Sequence, residues 1–325
     1  MKNKHINFEV EAGEMDYLFA LQNIREACPK LIQIIFVIIS EMVVYVGPMV
    51  PVVMYLCIDK RKGARMMFVF SLADTIGNTL KLAACVKRPW LRDSRLKPAE
   101  AVMGMTSTGY SFPSGHTCAA ASIYGGTAQV VKKKWAIITF SFLILLTAFA
   151  RNFLGMHTFA DVLAAIILTV IVGFISQFFF KLMENHPEYD IYVFIGGLAL
   201  CIIACLYIGL KSYPLDLMDD GTYLYIKMQK DGFAAIGMLA AWFISWYSDR
   251  RFIKFSIEGS VRDKVHRAIG AAIVFCLFFF AITKPLFSGI DPRCAYFLER
   301  FISVLMTALV YPVVLKKFRK GKSKA

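Results

Sequence analysis

The sequence predicts an all-α, polytopic membrane helical bundle, and three observations carry that prediction. Of 325 residues, 58% are hydrophobic and 18% charged, against about 45–50% apolar and about 25% charged in an ordinary soluble domain. With 28 Phe and 14 Tyr, the chain has more apolar surface than one globular core hides. The apolar residues also gather in runs of the length, ~20 residues, that crosses a ~30 Å hydrocarbon core as helix. A soluble enzyme, a disordered chain and a secreted disulfide scaffold are excluded on these grounds.

Taken in order, residues 15–28 (Met15-Asp16-Tyr17-Leu18-Phe19 through Cys28) alternate apolar and charged faces, as a helix lying in the membrane interface does. About nine transmembrane helices are then expected, near 31–57, 66–86, 115–131, 135–150, 158–180, 191–210, 232–248, 268–283 and 295–315. Each is an apolar run closed by charged or turn residues, and the fourth, seventh and eighth are short. No cleavable signal peptide is visible, because the first 30 residues are mixed in charge and lack an apolar core with a cleavage site. The eight Cys lie mostly inside apolar stretches. Cys201 and Cys205, four apart, have no His or second Cys pair beside them and read as packing residues rather than metal ligands.

The net charge of +14 comes from 37 Lys and Arg against 23 Asp and Glu. On a soluble chain it would suggest nucleic acid; here it sits in short runs between apolar segments, so no nucleic-acid partner is expected. Lys60-Arg61-Lys62 with Arg65, Lys132-Lys133-Lys134, the group from Arg250 to Arg267, and the tail from Lys316 to Lys324 all fall on one side if nine spans run from an outer N-terminus to an inner C-terminus. The acidic 181–190 hairpin is tolerated by that rule. The 87–113 loop, basic yet on the translocated side, is not.

That exception points to an anionic substrate. Residues 81–113 carry Lys81, Lys87, Arg88, Arg92, Arg95 and Lys97, and the loop ends in Pro113-Ser114-Gly115-His116 at the start of an apolar helix. The unpaired amides of a helix N-terminus are a ready phosphate site, although many helices simply begin this way. Arg151, His157 and Asp161 form a second cluster at the join of two spans. His157 and Asp161, four apart, share one helical face, where the carboxylate fixes the imidazole tautomer and strengthens the other nitrogen as nucleophile or base. The topology brings both clusters to one membrane face. Three cations (Lys81, Arg88, Arg151), a helix N-terminus and two histidines describe a metal-free phosphoryl-transfer site, one His attacking phosphorus and the other protonating the leaving alkoxide.

Lys81 to Arg88-Pro89 reads K-x6-R-P, Pro113 to His116 reads P-S-G-H, and Arg151, His157 and Asp161 read R-x5-H-x3-D. In that order and spacing the chain resembles the type 2 phosphatidic acid phosphatase family. The resemblance implies a lipid phosphate phosphatase in which His157 forms a phospho-histidine, Asp161 orients it, and His116 is general acid and then base. Lys81, Arg88, Ser114, Gly115 and Arg151 would bind the phosphate, with no metal or cofactor. The family usually has Ser where this chain has Ala150, which removes one phosphate hydrogen bond.

The resemblance also implies an organisation: an interfacial segment at 1–30, the phosphatase core at 31–183, a four-helix membrane extension at 184–315 and a basic cytoplasmic tail at 316–325. The nine-span layout is similar to the glucose-6-phosphatase and sphingosine-1-phosphate phosphatase branches. The expected partners are a phosphorylated lipid (phosphatidic acid, a sphingoid-base phosphate or an isoprenoid (di)phosphate) and membrane lipids, with no obligate protein partner. The expected place is a bacterial cytoplasmic membrane with the site facing outside, or an endoplasmic reticulum membrane with a lumenal site. Two rivals are a phosphotransferase that exchanges lipid headgroups and a non-catalytic lipid-binding or transport protein on the same scaffold. Glu41 and Asp74, carboxylates inside spans, are open to a functional, a charge-pairing or a packing role.

Overall fold

A computed structural model describes residues 2–100, 109–218 and 221–322, with side chains within 15–317 of these. Residues 101–108 of the basic loop, and 323–325 of the tail with Lys324, lie outside the described residues. Helices account for almost all of the rest: α1 Lys2–Ala27, α2 Lys30–Tyr45, α3 Met49–Val53, α4 Lys60–Ala84, α5 Pro89–Arg92, α6 Gly115–Val131, α7 Lys134–Phe153, α8 Phe159–Asn185, α9 Asp190–Leu210, α10 Leu224–Ser248, α11 Val261–Cys276, α12 Thr283–Leu286, α13 Pro292–Leu305 and α14 Tyr311–Lys322. One isolated antiparallel bridge, Leu217 to Tyr223, is the extended pairing found among the described residues.

Five helical rods are long and apolar enough to cross a membrane: α7, α8, the stretch Pro187–Leu210, Val261–Leu286 and Pro292–Lys317. The pair Lys30–Tyr45 and Met49–Ile58, bent by 41°, makes a sixth if it is one broken span. Helices α4, α6 and α10 occupy the other three expected positions. They are too short or too polar for that test: α6 has 17 residues, while α4 opens on Lys60-Arg61-Lys62. The fold is thus a polytopic helical membrane protein. The exposed faces of α7 and α8 carry Ile138, Phe142, Leu145, Phe174 and Phe178, the outward apolar surface that lipid requires.

The chain forms two compact units. The first comprises residues 1–47, 80–170 and 213–228, and the second 48–79, 171–212 and 229–325. In the first, Val37 of α2, Ala99, Leu154 and Met156 form a small core, with Phe36 and Trp90 packed against it. Leu18 and Leu21 of α1 are buried, and so is Arg25. Its guanidinium donates to the carbonyl of Phe153 at the end of α7 (2.6 Å) and to that of Lys97. A cation on orphan carbonyls at a helix C-terminus satisfies both the hydrogen-bonding and the dipole requirement there. In the second unit, Phe68 of α4 stands edge-on to Phe180, Phe243 and Trp246, and Trp242 is wholly buried.

Candidate active site

Two helix boundaries in the first unit build the site, and local sequence dictates both. Helix α7 ends because Gly155 takes φ +72°, where a side chain is strained. Gly155 N donates to Asn152 O (2.9 Å) and Met156 N to Arg151 O (2.9 Å), the paired bonds of a Schellman turn. The chain then reverses so that His157 follows two residues later, its carbonyl accepting from Asn152 Nδ2 (2.8 Å). Helix α8 opens at once with a capping box: Thr158 N donates to Asp161 Oδ2 (2.8 Å) and Asp161 N donates to Thr158 Oγ1 (3.3 Å). R-x5-H-x3-D is therefore a helix stop, a histidine and a helix start.

Asp161 does more than cap. Its Oδ2 accepts from Ser111 Oγ (2.5 Å) and lies 3.4 Å from His157 Nδ1. On the other side of the ring, Arg88 Nη1 donates to His157 Nε2 at 2.9 Å. A guanidinium can only donate, so Nε2 carries the lone pair and Nδ1 the proton that faces the carboxylate. Burial, and then the Arg88 charge, hold His157 well below the ordinary histidine pKa, so the ring is neutral near pH 7. Arg88 also binds the carbonyls of Gly109 (Nε, 3.3 Å) and Met156 (Nη1, 2.9 Å). Lys81 donates to the carbonyls of Tyr110 (3.2 Å) and Ser111 (3.1 Å). The two cations thereby hold loop residues 109–111 beside His157.

The PSGH segment joins this cluster through backbone. Ser114 N donates to Asp161 O (3.0 Å), tying the start of α6 to the start of α8. Ser114 Oγ caps α6 by accepting from Thr117 N (3.4 Å) and Thr117 Oγ1 (3.0 Å). The amide of Ser114 and the acceptor side of its hydroxyl are thus engaged within the fold, and the first-turn amides of Gly115 and His116 are the ones a helix leaves without an intrahelical acceptor.

His116 Nε2 meets Glu41 Oε1 of α2 at 3.1 Å, and the same oxygen accepts from Arg151 Nη1 at 3.2 Å. Arg151 Nη1 also donates to Ser40 Oγ (3.1 Å). The Arg151 side chain is wholly buried, yet Nε and Nη2 have no hydrogen-bond partner among the described residues. Two buried cationic donors left over are what an incoming anion would satisfy. Arg88 lies close enough to act electrostatically on both His116 and His157.

All eight residues singled out in the sequence therefore lie in this one unit, and all but Gly115 make contacts named above. Sequence reasoning misses Ser111, Asn152 and Thr158 and leaves the role of Glu41 open. Thr158-x-x-Asp161 and Gly155 were readable as helix start and stop signals. Ser111 carried no signal, since its partners lie 46 and 50 residues away. Ala150 is buried on α7 and brings no hydroxyl. Arg95 pairs with Asp93 (2.7 Å), which it holds at a pKa of about 2. Asp74 accepts from Asn78 Nδ2 (3.0 Å) in the second unit.

No curated protein and no solved structure matches the chain. Family models match it in two places. The PAP2 superfamily covers residues 62–184, which hold every motif residue, and the transmembrane extension of PAP2 superfamily phosphatases covers residues 233–323. With the motif residues gathered as described and several helices able to span a bilayer, the chain belongs to the PAP2 superfamily, as a multi-pass membrane phosphatase that carries the family's transmembrane extension.

Proposed function

We propose that the protein hydrolyses a lipid phosphate ester, a monoester or a diphosphate, through a phospho-histidine formed on His157 without a metal. The observation that carries this reading is His157 itself: neutral, its Nδ1 proton facing Asp161, and its Nε2 lone pair pointing at Arg88. Phosphate oxygens compete for Arg88, Lys81 and the unpartnered Nε and Nη2 of Arg151, and drawing Arg88 onto the phosphate frees Nε2. Nε2 then attacks phosphorus. The N–P bond forms as the P–O bond to the lipid breaks, and His116 passes a proton to the leaving alkoxide. The Nδ1 proton stays on the ring, where Asp161 stabilises the developing positive charge. In the second step His116 takes a proton from water, the water oxygen attacks phosphorus, and inorganic phosphate leaves with His157 restored.

The apolar exterior supports a lipid substrate, since a long acyl or isoprenoid chain can approach through the bilayer. The basic runs support an outer or lumenal site, in a bacterial cytoplasmic membrane or, alternatively, an endoplasmic reticulum membrane.

Phosphate release by the purified chain in detergent with EDTA tests the reading. The panel is phosphatidic acid, sphingosine-1-phosphate, phosphatidylglycerophosphate and undecaprenyl diphosphate, each repeated with His157→Ala. Release that survives the chelator and is lost by about 10³-fold or more in the variant is the expected result. A folded protein that releases phosphate from none of them would overturn it.

A further inference from the structure

The second histidine has a carboxylate of its own. We infer that Glu41 is the positioning residue of His116, holding its tautomer and its charge as Asp161 does for His157; this rests on the phosphatase reading above. Neither family model covers residue 41.

Helix α2 is apolar along most of its length and buries Val37, Ser40, Glu41 and Val43 on one side. Glu41 is its single acidic residue. A carboxylate in such a helix is costly unless paired and hydrogen-bonded. Here Oε1 accepts from both His116 Nε2 (3.1 Å) and Arg151 Nη1 (3.2 Å). Because a carboxylate only accepts, Nε2 of His116 carries a proton, and Nδ1 is left as the nitrogen that serves the reacting oxygen.

Charge completes the argument. The groups that act on His116 are Glu41 from α2, Arg151 from α7 and Arg88 from the loop before α5. Burial first, and then the two guanidiniums, disfavour an imidazolium, and a general acid must spend part of its cycle as one. Glu41 is the group of opposite sign that offsets them. Without it, an imidazolium formed at His116 during turnover would face burial and two guanidiniums with no carboxylate to offset them, and would be harder still to reach.

The test is leaving-group dependence, which a merely structural role would not produce. The full chain and Glu41→Gln are assayed in detergent on a lipid phosphate monoester, whose alkoxide needs a proton, and on p-nitrophenyl phosphate, whose phenolate does not. For the lipid ester kcat/KM is expected to fall by about 100-fold, and its alkaline limb to move to lower pH. For the aryl ester the fall is expected to stay within about 3-fold, because kcat/KM reports only the first step. Glu41→Asp should recover part of the lipid rate. Adding Glu41→Gln to His116→Ala should cost nothing further on the lipid ester if Glu41 acts through His116.

Equal losses on both esters, with an unchanged gel-filtration profile, would overturn the inference and leave the phosphatase reading standing. So would an unchanged lipid rate with tighter inhibition by inorganic phosphate, which would mean that Glu41 merely occupies the anion site. No release by the unaltered chain would overturn the phosphatase reading and this inference with it.

Discussion

Asp161 in the first unit and Asp249 in the second are both buried, and their partners are nearly the same. Each accepts a hydroxyl at 2.5 Å, from Ser111 and from Tyr55 respectively, and each accepts a backbone amide at 2.8 Å, from Thr158 and from Phe255. The third partner separates them. Asp249 takes the ammonium of Lys60, which closes a neutral pair that also donates to Phe255 O (2.7 Å). Asp161 takes an imidazole, a group that can change its charge during a reaction. The buried arginines repeat the contrast. Arg267 gives Nη1 to Leu56 O (2.8 Å) and Nη2 to Glu258 O (3.1 Å), whereas Arg151 keeps two donors unspent. Burial of a charge does not identify a site; what its hydrogen bonds leave over does.

Substitutions at the matched positions should break the comparison in opposite ways. The largest effect is expected for Asp161→Asn, with kcat falling by about 10³-fold or more, since the Nδ1 proton of His157 loses its carboxylate. Asp249→Asn should leave kcat per folded molecule unchanged and lower stability by about 3 kcal/mol, as breaking a buried ion pair does. Thermal melts read beside phosphate release separate the two. Next in size, Arg151→Gln is expected to cost about 100-fold in kcat/KM by removing charge-assisted donors to the phosphate. Arg267→Gln should act on the melting temperature alone. A loss of turnover at Asp249 or Arg267 equal to that at the partner position would show that leftover hydrogen-bonding capacity does not mark the site.

These pairs also show what the sequence could tell. The helices and the motif residues were legible because apolar run length and fixed local spacing are properties of neighbouring residues. His157 to Asp161 is four residues, but not along one helical face as expected: His157 precedes α8, and the Thr158–Asp161 capping box turns the carboxylate back to the ring. Glu41 to His116 is 75 residues and Glu41 to Arg151 is 110, so the pairing depends on how α2, α6 and α7 pack. A lone carboxylate in an apolar helix gave the signal that Glu41 mattered, but not to whom. Likewise the sequence could not show that the Ser114 amide would tie the start of α6 to Asp161 while its hydroxyl oxygen caps α6. The expected spans at α4, α6 and α10 fall short of a strict length-and-hydropathy test, because a helix that carries polar residues on one face need not be apolar all round.

A smaller effect follows from the proton on His157. Its pKa is lowered, first by burial and then by Arg88, so the neutral form persists below the ordinary histidine value of about 6.5. As nucleophile it must be neutral. The acid limb of kcat/KM should therefore begin below about pH 6.5, falling about 10-fold per pH unit once it begins. The stability consequence has a definite sign. An unfolded chain protonates this ring at about pH 6.5 while the folded one does not, so the contribution is fully present above that pH and declines as pH falls below it. An acid limb centred at or above pH 7 would contradict the placement of Arg88 against Nε2. Arg88→Gln should move the limb upward, because it removes the nearer of the two causes a side chain can supply.

The smallest expected effect tests the turn that delivers His157. At Gly155, φ is +72°, and an added Cβ would meet Arg25 Nη1 at 3.1 Å, Lys97 O at 3.3 Å and Pro98 Cα at 3.4 Å. The strain of a left-handed alanine is about 1–2 kcal/mol. Arg25 cannot yield freely, because the same Nη1 holds Phe153 O at 2.6 Å. Gly155→Ala should therefore lower stability by about 1–2 kcal/mol and reduce kcat by a few-fold, with KM little changed, as His157 shifts against a phosphate held elsewhere. Gly125, inside α6, is the matched control: an added Cβ there meets nothing within 4 Å. Gly125→Ala should raise stability by about 0.5–1 kcal/mol through helix propensity. The two substitutions add the same methyl group and are expected to move the melting temperature in opposite directions. If Gly155→Ala melted and turned over like the unaltered chain, the Schellman turn would not be what sets the position of His157.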